Sequence, residues 1–237
     1  MSSTAVSSLF TPESTVGQLV AARPLLARVF EKLGIDYCCG GKQTLAAVCA
    51  RRQLDLGTTL ALLESTGAAL AAGPAEVDAA AMGQAELADH IEAVHHAYLK
   101  TELPRLVEMA DRVALKHGWR DARLAEVRLA VRDLAEEMLS HMQKEELILF
   151  PLVRRIAAGE RGLDLAGPIA QMEAEHETAG GLTGRLRLLT DGFTPGPDAC
   201  NTHRALLAGL AEFEADLHRH VHKENNLLFP RALAAGK

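Results

Sequence analysis

The chain states one eleven-residue phrase twice. His141-Met142-Gln143-Lys144-Glu145-Glu146-Leu147-Ile148-Leu149-Phe150-Pro151 returns 79 residues later as His220-Val221-His222-Lys223-Glu224-Asn225-Asn226-Leu227-Leu228-Phe229-Pro230. The common pattern is His-x-x-Lys-Glu-x-x-(Ile/Leu)-Leu-Phe-Pro. A His and a Glu four residues apart lie on one face of a helix, one turn above each other. Imidazole and carboxylate so placed are a ready pair of ligands for a first-row transition metal. One such pair arises by chance in many helices. Two, embedded in an extended repeat, point to two equivalent helices carrying the same chemistry.

Around these phrases the sequence reads as long helices. Ala and Leu abound and only 4% of residues are aromatic, which favours helix over sheet. Helical patterns are expected over 84–118, with Pro104 as a kink, over 121–158 up to Gly159, over 167–190, and over 199–235 after the turn at 192–198. Four long helices with short connections make an all-α, up-down-up-down four-helix bundle the natural architecture. Ahead of it, residues 1–14 are Ser-rich and expected to be flexible, and 15–66 reads as a small helical domain. The Ala/Gly/Pro-rich stretch 67–83 reads as a linker to the bundle at 84–237. In the small domain, helices are expected from Pro24 to Leu33 with Gly34 as the stop, over 43–53, and over 58–69.

Periodicity places the paired ligands. Leu124, Val127, Val131, Leu134, Met138, His141, Glu145, Ile148 and Leu152 follow at steps of three and four, as do Leu206, Leu210, Phe213, Leu217, His220, Glu224 and Leu227. The His and Glu of each phrase therefore sit on an apolar stripe and point into the bundle. A buried carboxylate is costly unless it is paired or bound to a metal. The competing arrangement is a buried network of His–Glu hydrogen bonds. His176 lies in line with Ile169, Met172 and Leu186 on the third helix, and 80 residues earlier stands His96 on the first. Four His and two Glu would give each of two metal ions two imidazoles, with both carboxylates bridging. With a solvent-derived oxygen bridge, each ion keeps one position open for a small ligand. Intermediate N/O donors with four imidazoles favour iron over manganese. His95 competes with His96, since both lie near the stripe of Leu99, Leu103 and Leu106. Glu137 and Glu175 are candidates for supporting acids or a proton path.

Other chemistry is excluded or left open. A formal charge of −6 with no basic run argues against nucleic-acid binding, and no apolar stretch is long enough to span a membrane. The N-terminus does not read as a secretory signal. Four Cys, at 38, 39, 49 and 200, do not make a disulfide framework, so a cytoplasmic protein is expected. Gly40-Gly41-Lys42 is not a phosphate loop, because Gln43 follows the Lys and no strand precedes it. The adjacent Cys38 and Cys39 are candidates for transient metal or redox chemistry, against the plainer reading of a buried small hydrophobe beside an incidental thiol.

At these residues the chain resembles the repair-of-iron-centres family of hemerythrin-like di-iron proteins of the bacterial nitrosative and oxidative stress response. The resemblance rests on Ile35-Asp36-Tyr37-Cys38-Cys39-Gly40-Gly41-Lys42-Gln43-Thr44-Leu45, on 140–151, on Met172-Glu173-Ala174-Glu175-His176-Glu177, and on 220–233. It implies two non-haem iron ions, oxo-bridged, on His96, His141, Glu145, His176, His220 and Glu224. It further implies repair of damaged iron–sulfur clusters by iron donation, with iron–sulfur proteins as clients and Cys38 and Cys39 as a hand-off point. Two other functions stay open. One is enzymatic: two nitric oxide molecules couple to nitrous oxide at the reduced centre, with Glu137 or Glu175 in proton delivery. The other is a sensor of dioxygen or nitric oxide. A homodimer would suit the small N-terminal domain.

Overall fold

The computed structural model describes residues 10–70 and 78–236, the side chains of 67–70 excepted. The described residues are helical, with one isolated β-bridge between Thr15 and Thr44. They form two compact units: residues up to Met82 with Val221–Pro230, and Gly83–His220 with Arg231–Lys237.

The first unit is a set of short helices held by their caps. Helix α1 (Val16–Ala22) starts on a reciprocal cap, in which the Gln18 amide N–H donates to Thr15 Oγ1 at 3.3 Å and the Thr15 N–H to Gln18 Oε1 at 3.2 Å. The expected helix from Pro24 is a 3₁₀ turn (Pro24–Leu26) running into α2 (Ala27–Lys32), and Gly34 takes φ +64° after its end. Helix α3 (Leu45–Arg52) is capped by Thr44 and α4 (Leu56–Leu70) is preceded by Asp55, whose carboxylate accepts from Thr58 N–H at 2.7 Å. Val16, Leu19, Leu26, Phe30, Tyr37, Leu45, Val48 and Leu63 form the core. Two expectations are corrected. Residues 10–14 do not fray: Ser14 and Pro12 carbonyls accept from Leu45 and Ala46 N–H at 2.9 and 3.0 Å, and Phe10 packs on the core. Helix α4 runs through Gly67 to Leu70, past the expected start of the linker; residues 1–9 and 71–77 lie outside the described residues.

The long helices belong to the second unit, except that residues 221–230 of the fourth are counted with the first. The first comprises α5 (Gln84–Ile91), a π-helical turn (Glu92–His96) and α6 (Ala97–His117). The second comprises α7 (Arg123–Lys144), a π turn (Glu145–Leu149) and α8 (Phe150–Ala157). The third is α9 (Ala166–Leu189), uninterrupted. The fourth runs as α10 (Asn201–Lys223), a π turn (Glu224–Leu228) and α11 (Phe229–Ala235). Pro104 sits inside α6, and the departure from α geometry in that helix comes at Glu92–His96 instead.

The π turns explain one error of the periodic reading. A π turn holds one residue more than an α turn, so the face downstream advances by one position. Upstream of Glu145 the expected stripe is buried as read. Beyond it the buried positions are Leu149, Phe150, Val153 and Ile156, while Ile148 is 55% exposed and Leu152 only half-buried.

Candidate metal centre

Each π turn ends or begins on a candidate ligand: His96 closes the first, Glu145 opens the second and Glu224 opens the third. Wide turns of this kind recur at functional sites because they re-aim a side chain without breaking the helix. The four histidines and two glutamates picked out by the repeat are all buried, at 0–1% exposure. They fall into two overlapping sets, each with its ligand atoms within 4.8 Å of one another. One is His96, Glu145, His220 and Glu224, and the other is His141, Glu145, His176 and Glu224. Each set has two imidazoles of its own, and both share the two carboxylates.

Distances test whether this is a metal site or a hydrogen-bonded network. His96 Nε2 and His220 Nε2 stand 3.2 Å apart, and His141 Nε2 and His176 Nε2 3.1 Å apart. The Nδ1 atoms of His96 and His141 each face a carboxylate oxygen, at 2.8 Å from Glu146 and 2.9 Å from Glu175. A carboxylate oxygen accepts, so Nδ1 carries the proton and the Nε2 lone pair is presented inward. Two nitrogens each about 2.1 Å from one ion lie about 3 Å apart around it, which matches both pairs. Glu145 Oε2 is 3.3 Å from His96 Nε2 and 3.3 Å from His141 Nε2, one oxygen reaching both sets. The donor set fits two metal ions.

Behind the ligands stands a polar layer that periodicity found only in part. Glu175 accepts from His141 Nδ1, from Lys144 Nζ at 2.5 Å and from Gln171 Nε2 at 2.7 Å. Burial works to raise its pKa, but the hydrogen bonds from Gln171, Lys144 and His141 outweigh it and hold the carboxyl down at about 2. Glu146 does the same for His96, its charge secured by Lys100 Nζ at 2.6 and 2.8 Å. Such carboxylate–histidine pairs fix the ring orientation and raise ligand basicity. Glu137 is half-buried and makes no hydrogen bond to a candidate ligand among the described residues; of the two, Glu175 alone contacts one, His141. Glu146 was legible from the sequence only as an unused position of the phrase, since it lies one step off the α-helical stripe and the π turn carries it round.

His95 is placed apart from both sets. It is buried, its Nδ1 is 3.0 Å from the Asp216 carboxylate, and its ring stacks on His220 at 5.3 Å with the planes 3° apart. It supports a candidate ligand where His96 is one. His222 packs edge-on against Tyr37, and burial pushes its pKa down to about 4.

Cys38 and Cys39 do not both lie open. Cys38 is 6% exposed, and its thiol and backbone N–H reach Asp36 Oδ1 at 3.2 and 3.0 Å. Asn226 Nδ2 donates to the Cys38 carbonyl at 3.0 Å. The hydrogen bond to Cys39, burial and the nearby Asp36 charge raise the Cys38 thiol well above its ordinary value, so it is a thiol and not a thiolate at neutral pH. Cys39 is half-buried, and neither is in a disulfide.

Comparison with known proteins agrees with this geometry. Residues 87–232 match the hemerythrin HHE cation binding domain, and residues 12–66 match ScdA_N, a domain of unknown function. The chain is 41% identical over 222 residues to the iron-sulfur cluster repair protein YtfE of Musicola paradisiaca, covering 93% of this chain and 96% of that one. It is 39% identical to the protein of the same name from Cronobacter sakazakii, covering 95% and 98%, and 39% identical to that from Escherichia coli O157:H7, covering 94% and 97%. With its two-set His/Glu centre and a likeness that runs nearly end to end, the chain belongs to the hemerythrin HHE family, among the iron-sulfur cluster repair proteins of the YtfE type.

Proposed function

We propose that the chain repairs iron–sulfur clusters damaged by nitrosative or oxidative stress, with iron as the cargo of the His/Glu centre. The observation that carries this reading is the shared carboxylate, one buried Glu145 oxygen 3.3 Å from an imidazole nitrogen of each set. Iron held there would supply one-electron chemistry. His96, His141, His176 and His220 supply neutral nitrogen donors, and Glu145 and Glu224 supply the negative charge. Two carboxylates against two divalent ions leave a surplus of positive charge, so the hold on each ion is moderate. A client's thiolate and sulfide ligands are softer and suit an iron–sulfur cluster better, which gives transfer its direction. Glu146 and Glu175 keep the rings in place when the ions leave, each anchored by a lysine. No helix among the described residues is long and apolar enough to cross a membrane.

The test is transfer from the iron-loaded chain to a cluster enzyme whose [4Fe–4S] centre has been destroyed by nitric oxide, with sulfide and reductant present. The expected result is recovery of client activity faster than from the same concentration of ferrous salt, abolished in Glu145→Ala/Glu224→Ala. Recovery no faster than from free ferrous ion contradicts the proposal.

A further inference from the structure

Across the second unit, the ends of four helices enclose a cavity of about 540 Å³ that the metal centre does not use. The C-terminal ends of α6 and α9 meet the N-terminal ends of α7 and α10 there, closed by the turn through Asp191, Gly192 and Phe193, all at positive φ. Its volume falls within the roughly 300–1,000 Å³ of small-molecule sites. Cys200 lines it, half-buried and outside any disulfide, at the residue before α10; its carbonyl accepts the Arg204 N–H at 2.9 Å. His117, the last residue of α6, brings Nε2 to 3.2 Å from Cys200 Sγ. Sequence separation of 83 residues makes this pairing a product of the fold.

The remaining lining is charged in both senses. Arg123 pairs with Asp121 at 2.9 Å and with Asp191 at 3.0 Å, and Arg120 lies 3.4 Å from Asp198. These guanidinium and carboxylate groups sit at a partly open mouth, where exposed pairs are weak and exchange partners readily. A ligand carrying both carboxylate and ammonium groups finds a partner for each.

We infer that the Cys200–His117 cavity is a thiol-exchange site for a small zwitterionic disulfide of the glutathione class. His117 Nε2 takes the Cys200 proton. The thiolate attacks one sulfur of the disulfide, forming the Cys200–S bond and breaking the ligand's S–S bond; the second half leaves as a thiolate and receives the proton from His117. Cys200 and the retained half are joined as a mixed disulfide, and the departing half is reduced. Arg120 and Arg123 recognise the carboxylates of the retained half, and Asp198 or Asp191 its ammonium group. The other three cysteines lack this setting: Cys38 and Cys49 are buried, and Cys39 has Cys38 and a glycine loop beside it rather than a base.

The experiment uses the full chain and oxidised glutathione, read by intact mass and by peptide mapping. The adduct is expected on Cys200 first, with a rate that saturates as oxidised glutathione rises, while the rate with uncharged hydroxyethyl disulfide rises linearly. His117→Gln is expected to slow Cys200 modification by about tenfold or more, and Arg123→Gln to raise the half-saturating concentration. First modification at Cys39, or linear dependence on oxidised glutathione in the parent chain, overturns the site. Both readouts come from the unmodified sequence, so they hold even where a variant folds poorly.

Discussion

At the residue scale, the chemistry of the centre is set by which nitrogen of each histidine carries the proton. Glu175 decides this for His141 and Glu146 for His96, and neither touches the centre itself. Glu175→Gln removes the charge behind His141 while keeping its size. Metal affinity is expected to fall by about 10–100-fold, as measured by chelator competition. Glu137→Gln, with no such contact, is expected to leave it unchanged, and equal losses in the two variants would place the effect elsewhere. Cys38 carries a second expectation. Its raised thiol pKa means that the folded state resists ionisation. Below the unfolded thiol value of about 8.5 both states are protonated and no difference arises; above it, the unfolded chain ionises first and stability falls as pH rises. The unfolding free energy of the parent should therefore decline from pH 8 to 10 more steeply than that of Cys38→Ser. Iodoacetamide at pH 8 should label Cys39 ahead of Cys38. Equal labelling rates would show that Cys38 is open.

The elements show which part of this a sequence can carry. The His-x-x-x-Glu phrases and the 80-residue offset from His96 to His176 point to six inward positions, with His95 still competing for the place of His96; α periodicity holds up to the other five, while His96 closes a π turn. The helix geometry beyond each Glu was not legible. A π turn leaves no residue signature of its own; it shows only as a slip of the buried face, from the expected Ile148 to Leu149 and Phe150. The supporting contacts of Glu146 and of His95 with Asp216 were hidden because each joins residues far apart in sequence. Likewise the sequence leaves Cys38 between an open thiol on a Gly-rich loop and a buried small residue, and the contacts of Asp36 and Asn226 that hold it buried join residues the pattern does not link. Deleting Leu147, which is 72% exposed, would convert the second π turn to α geometry and return the downstream face to the α register. Far-UV circular dichroism should keep the full helical signal while metal content falls, because Glu146 is no longer carried round to His96. Retention of the parent's metal content by the deletion variant would show that the π turn is incidental.

Over the whole molecule, the two halves of the repeat are not interchangeable copies. The first phrase holds Glu146, which orients His96; the second has Asn225 in that register, and the next residue, Asn226 in the register of Leu147, reaches the backbone of the Cys38 loop. The two phrases carry equivalent ligand pairs, and the residues after each Glu make different contacts. Both halves contribute to one His/Glu centre made of two overlapping donor sets. Iron and manganese per chain, measured on protein purified from cells beside Glu145→Ala/Glu224→Ala, tests that centre most directly. Near two iron atoms per chain in the parent, largely lost in the double variant with the helical signal intact, is the predicted result. Equal metal content in the two proteins, or a parent that stays empty after anaerobic reconstitution with ferrous iron, would contradict it.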